Sequence, residues 1–221
     1  MVAARAPELD VRAAVVTEAM RLFAAHGFDG TALQDIADAV GVTKPAVLHH
    51  FPSKEHVRQA VLEEILAHWN ETLPRLLLAA SRGVDRFDAV FGELHRFFAA
   101  DPNRARVVMR EALDRPEQMK KLLRGPVRPW LAAVADYIKA GQRGLGHYAD
   151  VDAEAYVVHI LQLVLMATAA APVTRAVLED DAKGRYDREL ARIARASLFS
   201  PRDAQKESPR PEPARSKKAA R

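Results

Sequence analysis

The chain of 221 residues contains no cysteine. This absence excludes disulfide bonds, thiolate catalysis and zinc sites with cysteine ligands, and it fits a reducing compartment. The chain also lacks the GxSxG pattern of hydrolases, the GxxxxGK[ST] phosphate loop and the HExxH pattern of zinc peptidases. We therefore expect neither a catalytic site nor a metal ion or cofactor.

Sustained alternation of polar and apolar residues, the mark of β-strands, is also absent, while apolar residues recur at helical spacing. The sequence predicts an all-α protein with about nine helices. The longest uncharged run, 155–174, has the length of a membrane span. Because this run contains His159, Gln162 and Pro172 and is rich in alanine, we interpret it as a buried core or interface helix. With no signal-peptide pattern at the N-terminus, we expect a soluble, cytoplasmic protein.

Positive charge is concentrated at the end of the chain. Residues 200–221 hold seven Lys or Arg and three Asp or Glu, which accounts for the whole net charge of +4. This basic tail has few apolar residues, so we predict that it is disordered. Residues 39–54, in contrast, contain no acidic residue. Such a stretch can approach DNA phosphates without electrostatic repulsion.

The acid-free stretch overlaps a pattern that is typical of a helix-turn-helix. We expect Thr31 to cap a first short helix, with Gln34 as its capping-box partner. Gly41 follows that helix, where a left-handed backbone is needed. Thr43 is placed to cap the next helix, with Pro45 in its first turn. Two helices joined by so short a turn present the second helix to the major groove of DNA.

Turn signals and apolar periodicity divide the chain into two folded units. We predict a DNA-binding domain over residues 8–68, in which the helix-turn-helix covers about 32–51. A larger helical domain follows over residues 69–199, and residues 200–221 form the tail. The larger domain is richer in aromatic residues at its start and in aliphatic residues at its end.

The segment between Ala19 and Val57 carries the residues of a known family. They are Gly27-Phe28, Thr31, Ile36-Ala37, Gly41-Val42, Lys44 and the run from His49 to Glu55. In order and spacing they resemble the N-terminal domain of TetR-type (TetR/AcrR-like) transcriptional regulators. The resemblance covers about a quarter of the chain, and the remainder is similar only in length and helical layout.

The resemblance implies a homodimer that binds double-stranded DNA at an inverted-repeat operator and most often represses transcription. It implies a small-molecule effector that binds in the C-terminal domain and releases the DNA. By analogy, helices near 152–171 and 184–199 pair with their copies in a four-helix dimer interface. A helix that is apolar nearly all round, such as the first of these, needs cover on more than one side.

The candidate DNA contacts lie in and around the helix-turn-helix: Thr31, Thr43, Lys44, Pro45, Ala46, His49, His50 and Lys54. Of the two adjacent histidines, we expect one to face DNA and the other to close the helix onto the core. The family often has a small residue and then a polar one at Pro45 and Ala46, and usually tyrosine at Leu48. Because these hydroxyl groups are missing, one alternative function is that of a helical adaptor without specific DNA recognition. A helical enzyme is a second, less favoured alternative.

The candidate effector pocket is formed by aromatic, methionine and histidine side chains of the larger domain: Phe91, His95, Phe98, Met109, Trp130, Tyr137, His159 and Met166. The alternative for each of them is ordinary core packing. Arg110 and Glu111 are placed either to bind a polar group of the effector or to form surface ion pairs. The sequence does not identify the effector.

Overall fold

The structure, a computed structural model, describes residues 10–81, 86–125, 127–143, 146–178 and 182–199; the predicted tail lies outside the described residues. Within these ranges the chain forms eleven α-helices and no β-strand, so the all-α prediction is confirmed. The helices are α1 (Val11–His26), α2 (Leu33–Val40), α3 (Lys44–His50), α4 (Lys54–Ser81), α5 (Arg86–Ala100), α6 (Pro102–Asp114), α7 (Pro116–Arg124), α8 (Val127–Gln142), α9 (Ala153–Ala169), α10 (Ala171–Leu178) and α11 (Ala182–Ala196).

Two short helices, α7 and α10, raise the number above the nine that the sequence predicts. Pro116 is the first residue of α7, where a proline opens a helix because its missing N–H needs no partner. The uncharged run 155–174 is divided at Ala170 between α9 and α10, which meet at an angle of 72°. No single helix of the described ranges is long and apolar enough to cross a membrane; α9 and α10 pass that test only as a bent pair.

The N-terminal domain packs α1, α2, α3 and the start of α4 around one small core. Val15, Ile36, Val47 and Val57, one from each helix, are fully buried. Gly27 ends α1 with a φ of 77°, as its position predicts. These contacts fix the orientation of α3, which is the element that the sequence assigns to DNA.

The start of α2 differs from the prediction. Ala32 is its N-cap residue, and the Asp35 carboxylate accepts a hydrogen bond from the Ala32 N–H at 2.7 Å, so the predicted cap by Thr31 and Gln34 is wrong. The Thr31 side chain is only 1% exposed, and its hydroxyl donates to the carbonyl oxygen of Gly27 at 2.9 Å. Thr31 therefore satisfies a backbone group left unpaired where α1 ends, and its hydroxyl is not available to a phosphate.

The C-terminal domain is built around α9, which packs against α5, α6, α8, α10 and α11. The long helix α4 enters this domain and continues through Pro74 as far as Ser81. An aromatic cluster joins α4, α5 and α8, with the rings of Trp69 and Trp130 5.2 Å apart and those of Trp69 and Phe97 5.1 Å apart. Helix α4 thus belongs to the cores of both domains.

Candidate nucleic-acid interface and effector cavities

Helix α3 is held to the protein by one face only. The predicted Thr43 cap is confirmed, since its Oγ1 accepts a hydrogen bond from the Ala46 N–H at 3.4 Å. Gly41 has a φ of 80° and makes the turn before it, also as predicted. Of the seven residues of α3, only Val47 is fully buried, and Phe51 behind it is buried too. The opposite face of α3 therefore points to solvent.

The outward face of α3, defined by Lys44, Pro45, Leu48, His49 and His50, is exposed throughout. Lys44 has no hydrogen-bond or ion-pair partner among the described residues, and Ala46 at the edge of the face is half-buried. The prediction that one of the two histidines closes α3 onto the core is wrong, because Val47 and Phe51 fill that place. The outward face thus offers one lysine, two imidazole rings and apolar groups, and no acid.

Lys54, at the start of α4, is bound to the protein itself. Its ammonium group donates to the carbonyl oxygen of Phe28 at 2.8 Å and to that of Thr31 at 3.0 Å, and it lies 4.2 Å from the centroid of the Phe28 ring. These contacts join α4 to the loop between α1 and α2. Lys54, which the sequence assigns to DNA, therefore stabilises the domain that presents α3.

A cluster of charges joins the two domains. The guanidinium group of Arg58 in α4 contacts the Glu111 carboxylate in α6 at 2.7 Å, and the two side chains are 12% and 8% exposed. Burial by itself lowers the pKa of Arg58, but the carboxylates of Glu55 and Glu111 outweigh it, so the pKa is raised above its ordinary value. The pair is therefore charged and forms a largely dehydrated bond between α4 and α6.

Arg110 in α6 and Arg115, which lies between α6 and α7, also reach the N-terminal domain. Arg110 donates to the carbonyl oxygen of Ala25 at 3.1 Å, at the end of α1. Arg115 lies 3.6 Å from the Asp29 carboxylate and 4.4 Å from the centroid of the Phe28 ring. Arg110 and Glu111, which the sequence places either at the effector or in surface ion pairs, contact α1 and α4 instead. Sequence spacing gives no signal for contacts between residues 53 to 87 positions apart.

Comparisons with known proteins point to one family. Residues 15–61 match a family model described as bacterial regulatory proteins, tetR family. The chain is 45% identical to the HTH-type transcriptional regulator RutR of Escherichia coli over 56 residues. These residues make up 25% of this chain and 26% of RutR. Over 122 residues it is 30% identical to the HTH-type transcriptional regulatory protein RaaS of Mycobacterium tuberculosis, 52% of this chain and 57% of RaaS.

A solved structure extends the likeness of fold to most of the chain. The crystal structure of AibR in complex with isovaleryl coenzyme A and operator DNA has a TM-score of 0.66 at 20% identity, covering 86% of this chain and 98% of that one. The chain is therefore similar in sequence to the tetR family over residues 15–61, and similar in fold to AibR over most of its length. It spans about a quarter of the length of the first curated relatives that it matches, so the remaining likeness is one of fold.

Two small apolar cavities in the C-terminal domain are each lined by one of the two tryptophans. The Trp69 cavity, of about 100 Å³, is lined by Leu62, Ile65, Leu66, Trp69, Phe97, Phe98, Val108, Met119, Leu122, Leu123, Val127, Leu161 and Leu165. The Trp130 cavity, of about 40 Å³, is lined by Phe87, Val90, Phe91, Leu94, Trp130, Val134, Tyr137, Ile138, Tyr156, Val157, Ile160 and Leu198. Both indole Nε1 atoms are buried, and neither has a hydrogen-bond partner among the described residues.

The structure does not bring the eight predicted pocket residues together. Phe98 lines the Trp69 cavity, and Phe91, Trp130 and Tyr137 line the Trp130 cavity. The other four line neither: His95, Met109, His159 and Met166.

Each of those four residues lies elsewhere in the domain. His95 lies 3.5 Å from the Asp187 carboxylate, and Met109 borders an open groove beside α1. His159 and Met166 are exposed, because they lie on the side of α9 opposite to its buried residues. Within the described ranges, no group of three or more His, Asp or Glu side chains is placed to hold a metal ion.

The two predicted dimer helices, α9 and α11, and the short helix α10 between them expose apolar side chains. On α9 these are Val158, Leu163 and Met166; on α10, Val173 and Val177; and on α11, Ile193. Ile193, which the helical spacing assigns to the core, is 44% exposed, while its neighbour Ala194 is fully buried. A group of this kind on adjacent helices is typical of a surface that another protein covers.

Proposed function

We propose that the protein is a transcriptional regulator that binds an inverted-repeat DNA operator as a homodimer and leaves it when a small molecule fills the C-terminal domain. The observation that supports this proposal most is the outward face of α3, which is exposed, free of acids and anchored only by Val47 and Phe51. Most members of the family that it resembles repress, so repression is the expected action. The place of action is the cytoplasm, where the DNA is.

The outward face has the chemistry to read a major groove. Lys44 is free to meet a phosphate or a guanine, and His49 and His50 can donate or accept hydrogen bonds at base edges. The Ala46 methyl group can contact the methyl group of thymine. Thr43 holds the start of α3 in place through its cap. Thr31 and Lys54 contribute through the stability of the domain.

Dimerisation is supported by the apolar side chains exposed on α9, α10 and α11. Burying them against a second copy removes apolar surface from water and covers the remaining side of α9. A two-fold dimer presents two copies of α3 to half-sites about 34–36 Å apart on one face of the DNA. The structure of AibR with isovaleryl coenzyme A and operator DNA supports joint use of this fold for ligand and operator.

The runner-up is a helical adaptor without specific DNA recognition, which the missing hydroxyl groups at Pro45, Ala46 and Leu48 favour. RutR and RaaS are named as transcriptional regulators, so we propose a regulatory and not a catalytic role. DNA selection from a random pool with the purified full-length protein separates the regulator from the adaptor. The regulator enriches an inverted repeat, whereas the adaptor enriches none.

The contact of Lys44 can be tested on the selected operator. Lys44→Ala should weaken binding and reduce the slope of log affinity against log salt by about 1, the value for one lost phosphate contact. Lys139→Ala is the matched control, since Lys139 is exposed on α8, far along the chain from α3. Equal affinities and equal slopes for the two variants would remove Lys44 from the interface.

A further inference from the structure

Arg12, in the first turn of α1, is a cation that the N-terminal domain holds beside the end of α3. Its guanidinium carbon lies 5.3 Å from the centroid of the Phe51 ring, and Phe51 is the residue at which α3 ends. A guanidinium group within about 6 Å of an aromatic face is attracted to it, so this contact positions the Arg12 side chain. Arg12 therefore places a positive charge at the end of α3 opposite to Lys44.

The contact with Phe51 follows from the position of Arg12 on its helix. Arg12 precedes the buried residues Val15 and Val16 by three and four positions, so it lies one turn away on the same side of α1. Phe51 is only 3% exposed and closes the core at this edge. Arg12 itself is exposed, so its guanidinium group covers the ring and stays in contact with solvent.

The hydrogen-bond donors of Arg12 are not used within the domain. Among the described residues Arg12 has neither a hydrogen bond nor an ion pair. Asp10, two positions earlier, caps α1 instead, where its carboxylate accepts a hydrogen bond from the Ala13 N–H at 3.2 Å. A guanidinium group carries its N–H donors in its own plane, in a fork that matches the geometry of a phosphate. Because the contact with the Phe51 ring is not a hydrogen bond, these donors remain available to an anion.

The end of α3 beside Arg12 differs from the end that is expected to read bases. In helix-turn-helix complexes the first residues of the second helix contact base edges in the major groove. Lys44 and Phe51 are seven positions apart in sequence, which corresponds to about 10 Å along a helix. The major groove is about 12 Å wide. When Lys44 lies in the groove, the far end of α3 therefore lies near its edge, where the phosphates are.

We propose that Arg12 binds a DNA phosphate at the edge of the major groove, where the Phe51 ring positions its guanidinium group. This inference deepens the proposed regulatory function and rests on it. Because the ring orders the side chain before DNA arrives, less conformational entropy is lost on binding. A contact with phosphate carries no sequence information, so Arg12 contributes to affinity and not to the choice of operator.

The test measures operator binding of the full-length protein over a range of salt concentrations. Losing one phosphate contact lowers the slope of log affinity against log salt by about 0.9, which gives about eightfold weaker binding at about 0.1 M salt and equal affinities near 1 M. Arg12→Gln should show this change, whereas Arg12→Lys keeps the charge and should keep the slope. Arg21→Gln is the matched control, since Arg21 is exposed about two and a half turns further along α1, on its opposite side. It should bind as the unmodified protein does.

Sequence preference separates a phosphate contact from a purely structural role. Arg12→Gln should weaken binding to the operator and to an operator with one altered half-site by the same factor. If Arg12 only orients α3 through Phe51, the variant loses its preference for the intact operator and keeps the salt slope, and this result would overturn the proposal. Circular dichroism checks the fold of each variant. Arg12→Met, which keeps an apolar stem against Phe51, replaces Arg12→Gln if that variant does not fold.

A duplex of random sequence distinguishes this proposal from the regulatory function. At low salt the protein should bind such a duplex without sequence preference, and Arg12→Gln should lower the salt slope there as well. If the selection enriches no inverted repeat but Arg12→Gln still lowers this slope, the phosphate contact stands and the regulatory proposal fails. An enriched operator that Arg12→Gln binds with an unchanged slope would mean the reverse. Binding to neither duplex would overturn both proposals.

Discussion

Lys54 and Lys44 both lie in the helix-turn-helix region, but their side chains differ in environment: Lys54 binds two backbone carbonyl groups, whereas Lys44 points to solvent. Replacing Lys54 by methionine keeps the apolar stem but removes two charge-assisted hydrogen bonds, to the carbonyl oxygens of Phe28 and Thr31. Each bond of this type contributes about 1.5–3 kcal/mol when buried, and we take the lower value because Lys54 is only half-buried. The contact of the ammonium group with the Phe28 ring adds about 0.5–1 kcal/mol.

The expected loss for Lys54→Met is therefore about 3.5–4 kcal/mol in the free energy of unfolding. Urea unfolding followed by circular dichroism measures this loss as a lower midpoint at constant slope. Lys44→Met is the matched control, since Lys44 is exposed and unpaired within the described residues; its loss should stay below about 0.5 kcal/mol.

DNA binding should show the opposite order. Lys44→Met should lower the salt slope of operator binding by about 1, the value for one phosphate contact. Lys54→Met should weaken binding only in proportion to the unfolded fraction. Equal unfolding midpoints for Lys54→Met and the unmodified protein would refute the structural role of Lys54. A salt slope lowered by Lys54→Met would return Lys54 to the interface.

Three further substitutions test other contacts. Glu111→Gln removes one charge from the buried pair between the domains and should lower the free energy of unfolding by about 1–3 kcal/mol, measured in urea. Gly141→Ala should destabilise by about 1–3 kcal/mol or more, because its Cβ would lie 2.0 Å from the His147 ring; Gly92→Ala, whose nearest new contact is at 3.7 Å, should not destabilise. Burial raises the pKa of the Tyr156 hydroxyl above its ordinary value, so this group ionises in the unfolded chain at a lower pH than in the folded protein, and the free energy of unfolding falls above pH ~10. Tyr156→Phe should make this fall less steep. Equal pH profiles of stability for the variant and the unmodified protein would contradict this prediction.

The elements that the sequence predicts correctly depend on neighbouring residues. Gly41 and Thr43 bound the turn of the helix-turn-helix because a left-handed glycine and a hydroxyl cap act over three or four positions. Rules that act over a few residues therefore predict the shape of the helix-turn-helix.

The errors occur where a residue has a choice between two neighbours that only the fold decides. Thr31 can cap the helix that follows or bond back to the one before, and the closure of α1 against α2 selects the second. Ile193 and Ala194 both fit an apolar stripe, and the packing of α11 buries the smaller one. The pair of Arg58 with Glu111 spans 53 positions, so no pattern within a helix predicts it.

Helices α4 and α6 connect the Trp69 cavity to the N-terminal domain. Trp69 and Arg58 belong to α4 and lie about 16 Å apart along it, while Val108 of the Trp69 cavity precedes Glu111 by one turn of α6. If a ligand in the Trp69 cavity moves these two walls apart and lengthens the 2.7 Å contact of Arg58 with Glu111, it favours a state in which the domains are less firmly joined. Coupling between two binding sites is reciprocal. If the ligand lowers the affinity for operator DNA by some factor, operator DNA therefore lowers the affinity for the ligand by the same factor. If the ion pair of Arg58 with Glu111 carries this coupling, Glu111→Gln should reduce both factors equally. A change in only one of the two factors would show that the ion pair joins the domains but does not couple ligand binding to DNA binding.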